Sequence, residues 1–370
     1  MRVTRATRTL VVTAAAAFGV PASATAVLPR DSATVALERA AFIALPAVYE
    51  VRGEIRIDAI DMGDRRIGVN RTIPLRGTAF GVAPGRVVTA LHLIRPPVDR
   101  VLDELRTLGV QRLPTATQAT RVVAQPVTTV TLARARSASE CLEGAPTAIP
   151  ADVVQTTDAN GDLVLLEIAD TAAPTLDLDD SQTAETAVAA IGFGDQGDAT
   201  PAIRTGTVSA TAAIGQDDRF AILDVPVVRG DSGGPVVDVA GRSRGVVLRR
   251  ATDQVEPVMA QAKSVRELLA QDDITAAGPS DATDDFRDAM TAFWARDYTV
   301  AERRLGTLTE TFTDTALIRC ERARAATLAT TSYAISGPSR LRGAILALGV
   351  MAAVAATILG ILRVRRQPLE

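Results

Sequence analysis

Between Val48 and Arg249 the chain is a succession of short apolar or alternating runs, each stopped by glycine or proline. VYEVRGEIRIDAI and RGTAFGVAPGRVVTALHLI come first, and similar runs recur at 120–133, 163–168, 187–193, 203–210, 220–228, 235–239 and 245–249. Alternation of period two buries one face of an extended strand, and the glycine- and proline-rich breaks supply turns. Many short strands of this kind close into a barrel or stack as a sandwich, so a mainly β fold is expected. The stretch 95–118 breaks the texture and reads as a helical insertion or a long loop.

A chain of 370 residues has room for about two such units plus extras. With 47% hydrophobic residues it can bury a sizeable core, which excludes wholesale disorder. A net charge of −3 argues against nucleic acid as a partner. Two cysteines exclude a disulfide scaffold and a zinc ribbon, and a single histidine, His92, leaves no set of imidazoles for a metal centre. No metal and no organic cofactor is expected.

The ends differ from the middle. Residues 1–26 begin with Arg2, Arg5 and Arg8, continue as an apolar run from Leu10 to Val20, and end in Ala24-Thr25-Ala26. That is the three-part layout of a secretory signal peptide. Residues 343–362, GAILALGVMAAVAATILGIL, carry no charge. At about 1.5 Å per residue they span roughly 30 Å, the thickness of a bilayer core. Arginines flank both sides, Arg340 and Arg342 before, Arg363, Arg365 and Arg366 after. The expectation is a single-pass protein of the cell membrane, with residues 27–340 extracytoplasmic and the tail 363–370 cytoplasmic.

Residues 27–45 read as a partly helical lead-in. After Gln271 the strand texture stops, and over 281–336 apolar residues return at helical spacing: Phe286, Met290 and Phe293, then Tyr298, Ala301, Leu305 and Leu308. AMTAFWARDYTVAERRL resembles one tetratricopeptide helix pair; a stalk or a cap on the barrels is the alternative, and a partner could dock there. GPSDATDD at 278–285 reads as a polar linker.

Chemistry concentrates in three places. Arg229-Gly230-Asp231-Ser232-Gly233-Gly234-Pro235 sets a serine in a glycine-rich turn. Glycines let the backbone turn sharply and bring N–H groups around a developing oxyanion. Serine needs a base to become a nucleophile, and His92 ends the apolar stretch Val87-Val88-Thr89-Ala90-Leu91. Imidazole in turn needs a carboxylate to orient it, and Asp162 precedes the apolar strand Leu163-Val164-Leu165-Leu166, with Asp152 and Asp158 as nearby alternatives.

These residues, in the order His92, Asp162, Ser232, resemble the chymotrypsin-type (trypsin-like) serine proteases. TALH resembles the family's T-A-A-H, GDLVLL its D-[LI]-A-L-L, and GDSGGP is its nucleophile motif unchanged. Arg76-Gly77-Thr78-Ala79-Phe80 resembles the strand leading to the histidine, while Ile191-Gly192-Phe193-Gly194 and Thr205-Gly206-Thr207-Val208-Ser209-Ala210 are closer to the bacterial HtrA branch. The resemblance implies two six-stranded β-barrels over about 46–275, with the site between them, and a serine endopeptidase acting on protein or peptide. It implies Ser232 as nucleophile, His92 as general acid/base, Asp162 as orienting carboxylate, and the N–H groups of Gly230 and Ser232 as oxyanion hole. Val247, Leu248, Arg249 and Arg250 fall on the edge strand that pairs with substrate in the family.

The chain departs from the pattern in three ways. No Ile-Val-Gly-Gly start exists to pair with Asp231, which is left to another partner such as an arginine, or to solvent. An arginine stands where a glycine lines the specificity pocket, which implies a narrowed or cationic pocket. No sheet pattern follows Gln271, so the PDZ domain of HtrA proteases is not expected. Cys141 and Cys320 are either bonded to each other or two separate thiols.

Overall fold

A computed structural model of the chain describes residues 32–136, 147–157, 161–181, 184–194, 200–210, 219–248, 257–311 and 316–336. The leader 1–26, the span 343–362, the tail 363–370 and Cys141 lie outside the described residues. Among those described, no helix is long and apolar enough to cross a membrane.

Two β-barrels form the body. In the first, β1 (Val48–Asp61), β2 (Arg66–Ala83), β3 (Arg86–Ala90), β5 (Thr129–Arg134), β6 (Ala148–Thr157) and β7 (Leu163–Glu167) pair in a ring that closes where β1 meets both β2 and β5. The short β4 (Arg121–Ala124) pairs with the far end of β1. The second barrel closes in the order β10-β13-β12-β11-β8-β9, from β8 (Ala187–Gly192), β9 (Ala202–Ala210), β10 (Phe220–Asp224), β11 (Pro235–Val237), β12 (Ser243–Leu248) and β13 (Val258–Gln261). Every strand pair in both is antiparallel, as short hairpin-linked strands require. Closure leaves neither ring with a free edge.

Each interior is filled by one face of its strands. Tyr49, Val51, Val87, Leu132, Val164 and Leu166 fill the first barrel; Val188, Val208, Leu223, Val236, Val247 and Met259 fill the second. The opposite face of several strands is also apolar, because it builds the seam between barrels. Phe80, Val88 and Leu165 meet Ile191, Phe193 and Val246 in that seam.

The insertion at 95–118 is helical in part: α3 (Val98–Thr107) lays Val101, Leu102 and Leu105 against Ile55, Ile57, Ile73 and Leu75 of the long β1–β2 hairpin. The lead-in is α1 (Ser32–Ala44), packed on the second barrel. After the barrels come α4 (Ala262–Ala270), α5 (Asp281–Trp294), α6 (Tyr298–Thr311) and α7 (Ala316–Ser336). Phe42 of α1 stacks on Phe286 at 6.0 Å and meets Trp294 edge-on at 6.2 Å, so the helical unit caps the barrels through α1 and is no free stalk. Residues 281–285, five of the eight in the expected linker 278–285, are helix. Ser280 accepts a hydrogen bond from Thr283 N–H at 3.3 Å, and Asp281 and Asp284 suit the positive end of the helix dipole. Cys320 of α7 is disulfide-bonded, and the chain holds one other cysteine, Cys141.

Candidate active site

β3 and β7 lie side by side with Ala90 opposite Leu163. In an antiparallel pair the end of one strand adjoins the start of the next. The residues just past β3 therefore meet the residue just before β7. β3 runs into a single helical turn, α2 (Leu91–Ile94), which carries His92, while Asp162 precedes β7. Leu91 N–H donates to Asp162 C=O at 2.8 Å and extends the ladder by one step. Asp162 sits at φ 60°, in the left-handed region, which turns its side chain back onto α2. Its Oδ1 accepts from His92 N–H at 2.9 Å, and its Oδ2 lies 2.6 Å from His92 Nδ1.

A carboxylate at Nδ1 fixes the proton there and leaves Nε2 with a lone pair. The pair is half-enclosed, with 13% of the His92 side chain and 37% of the Asp162 side chain exposed. Asp152 instead accepts the Thr129 hydroxyl at 2.9 Å, away from the ring, and Asp158 lies outside the described residues.

Ser232 belongs to the second barrel, in the turn before β11, and is 5% exposed. Gly230 and Gly233 on either side have φ of 93° and 87°, a backbone that side-chain-bearing residues rarely adopt. A Cβ on Gly233 would overlap Thr78 C=O and the Thr89 hydroxyl, and would stand 3.0 Å from Ala90 N. The serine turn is thus pressed against the strand that ends in His92. Among the described residues neither Gly230 N–H nor Ser232 N–H has a hydrogen-bond partner. Two unpaired amide donors flanking a serine are what an oxyanion requires. Ser232 Oγ likewise makes no hydrogen bond among the described residues, so its link to the imidazole is not formed in this conformation.

Asp231 points away from the serine and is 1% exposed. Its Oδ2 accepts from Val228 N–H at 2.7 Å; its Oδ1 accepts from Gly194 N–H and Arg204 Nη1, both at 3.3 Å. The partner left open by the sequence is an arginine of β9. On the other flank Arg229 pairs with Glu104 of α3, so the insertion from the first barrel reaches the turn that bears Ser232.

The edge-strand residues do not all serve as expected. Val247 is fully buried inside the second barrel; its N–H donates to Gly234 C=O and its C=O accepts from Gly233 N–H, both at 2.8 Å. Its backbone is spent on the serine turn and has nothing to offer a substrate strand. Leu248 pairs with Val258 and is buried in the seam. Arg249 and Arg250 lie outside the described residues. No group of three or more histidine, cysteine or acidic residues that could hold a metal occurs among the described residues.

Sequence reasoning missed Thr78 and Arg204. Thr78 sat in the quoted motif RGTAF, and Arg204 is one of many arginines with no local signal.

Residues 77–246 match the family model described as a trypsin-like peptidase domain. Solved structures similar in fold include the Rv3671c protease from M. tuberculosis. Its active form is 22% identical over 71% of this chain and 96% of that one, with a TM-score of 0.40. Its inactive form is 20% identical over 65% and 96%, with a TM-score of 0.38. The serine endoprotease from Yersinia pestis is 17% identical over 64% of this chain and 65% of that one, with a TM-score of 0.40. No curated protein matches the chain.

Proposed function

We propose that the chain is a serine endopeptidase of the cell envelope, tethered by residues 343–362 with its barrels on the extracytoplasmic side. The observation that carries the catalytic reading is the two-point hold of Asp162 on His92. In the reaction, His92 Nε2 takes the proton of Ser232 Oγ as the oxygen attacks the scissile carbonyl carbon. The carbonyl oxygen gains the negative charge and is received by Gly230 N–H and Ser232 N–H. His92 then gives its proton to the leaving amine, and the C–N bond breaks to leave an acyl-enzyme. Water, deprotonated by His92, attacks the ester, and Ser232 leaves reprotonated. Asp162 stabilises the imidazolium in both halves. Each oxyanion donor contributes on the order of 10²–10³ in rate.

A fluorophosphonate probe tests this directly. The folded protein should label and hydrolyse peptides, and Ser232→Ala should abolish both; a folded wild type that never labels sinks the proposal. Membrane tethering is tested separately by fractionating cells that express the full chain or a chain ending at 336. The full chain should sediment with membranes and the short one should not.

A second reading, a catalytically silent protease-like module that binds a partner through its helical unit, is favoured by the unbonded Ser232 Oγ. It calls for a folded wild type with no labelling and no turnover.

A further inference from the structure

Three consecutive peptide planes after Gly230 shape the turn around Ser232, and one buried residue of the other barrel holds two of them, one by its side chain and one by its backbone N–H. Gly230 C=O accepts from Thr78 Oγ1 at 2.8 Å, and Ser232 C=O accepts from Thr78 N–H at 2.8 Å. The plane between them is closed within the turn, Gly234 N–H donating to Asp231 C=O at 3.0 Å. Thr78 Oγ1 also accepts from Phe193 N–H at 3.2 Å, and Thr78 C=O accepts from the Thr89 hydroxyl at 2.5 Å. Thr78 is fully buried, and its methyl is the nearest side-chain atom to where a Gly234 Cβ would stand, at 3.1 Å. One residue therefore ties together β2, the strand leading to His92, the Phe193 segment of the second barrel and the turn that carries Ser232.

Glycine at 230 makes such a tie necessary. Its dihedrals are soft, so sterics alone do not fix the direction of the Gly230 N–H. A carbonyl held from outside fixes the plane on one side of that residue, and the charge it aims at develops only during reaction. We propose that Thr78 is a positioning residue: its hydroxyl orients the Gly230 peptide so that the Gly230 and Ser232 N–H groups converge on the substrate's oxyanion, and it couples that alignment to the strand bearing His92. The proposal rests on the serine endopeptidase reading.

The experiment compares Thr78→Val, which has the same shape without the hydroxyl, with Thr78→Ser, which keeps the hydroxyl. Both are measured with a peptide ester, for kcat and KM separately, after the concentration of reactive serine has been titrated with a fluorophosphonate. Per titrated site, Thr78→Val should lower kcat about tenfold to a hundredfold, below the full loss of one oxyanion donor, with KM within about twofold. Thr78→Ser should stay within about threefold of wild type. Affinity for a peptide aldehyde should fall in parallel with kcat in the valine variant, whereas affinity for the product peptide should not. If the valine variant does not fold, Thr78→Ala takes its place with the same two outcomes. Wild-type kcat in the hydroxyl-free variant, or equal loss in the serine variant, overturns the role of Thr78 and leaves the endopeptidase reading standing. A wild type that neither labels nor turns over ends both.

Discussion

Arg204 Nη1 lies 3.3 Å from Asp231 Oδ1, joining β9 to the residue that precedes Ser232. The carboxylate is almost wholly buried, while a fifth of the arginine side chain reaches solvent. Two backbone N–H groups share the load, from Val228 and Gly194. The pair is internal, so Asp231 needs no freed chain terminus as its partner.

Removing that cation should leave a buried carboxylate short of a partner. Arg204→Gln should cost about 2 kcal/mol, below the usual range for a broken buried pair because two N–H donors remain. Urea unfolding of the variant measures the stability, and the rate of fluorophosphonate labelling measures any disturbance of the serine turn. Stability equal to wild type would show that the two amides suffice.

Asp162→Asn should leave the fold intact and lower kcat by about 10⁴, because an amide in place of the carboxylate favours the wrong imidazole tautomer and cannot neutralise the imidazolium. Steady-state hydrolysis of a peptide ester, beside a thermal melt, checks it. Asp152→Asn, which removes a charge but keeps an acceptor for the Thr129 hydroxyl, should change kcat by less than about twofold.

Gly233→Ala should be among the most damaging substitutions in the chain. The position has φ 87°, and the new Cβ would overlap the Thr78 carbonyl and the Thr89 hydroxyl. Backbone strain and overpacking together should cost more than about 3 kcal/mol, read as a loss of soluble yield or a lowered melting temperature. Gly63→Ala, in an open turn at φ 76° with nothing within 4 Å, should cost about 1 kcal/mol.

Acid should weaken the second barrel through Asp179. Burial raises its pKa, but hydrogen bonds from Ser181 and the charges of Arg244 and Arg242 outweigh burial and leave the carboxyl below its ordinary value. A depressed folded pKa contributes stability that is complete above the unfolded value of about 3.9 and is lost as pH falls through the folded one. Melting temperatures of wild type and Asp179→Asn should differ at pH 6, and the gap should narrow as pH falls below about 4; a gap of constant size at every pH where both fold would contradict the assignment.

The parts of the fold written in local pattern were legible, and the parts set by distant partners were not. The strand runs named above stand out in sequence because their alternation reports a face buried in a barrel or the seam. β6 was passed over because Pro150 and a polar C-terminal half disguise a strand that β5 and β7 hold on both sides. β13 is four residues long and runs straight into α4, leaving no turn signal between them. The start of α5 was read as linker because capping residues and linker residues are the same types, serine and aspartate. At the candidate site, His92, Asp162 and Ser232 stand out in sequence because their motifs are local, and the structure brings the first two into contact. Thr78 and Arg204 act across 152 and 27 residues, and no window of sequence displays such pairings. Val247 was misread for the same reason: its backbone is claimed by Gly233 and Gly234 on another strand.

The seam between the barrels has a further consequence. The imidazole and its carboxylate come from one half of the chain and the hydroxyl from the other, joined through Thr78 and the apolar contacts of Phe80, Ile191 and Phe193. On the serine endopeptidase reading, activity therefore requires both closed barrels docked at that seam, since neither barrel alone holds the whole site.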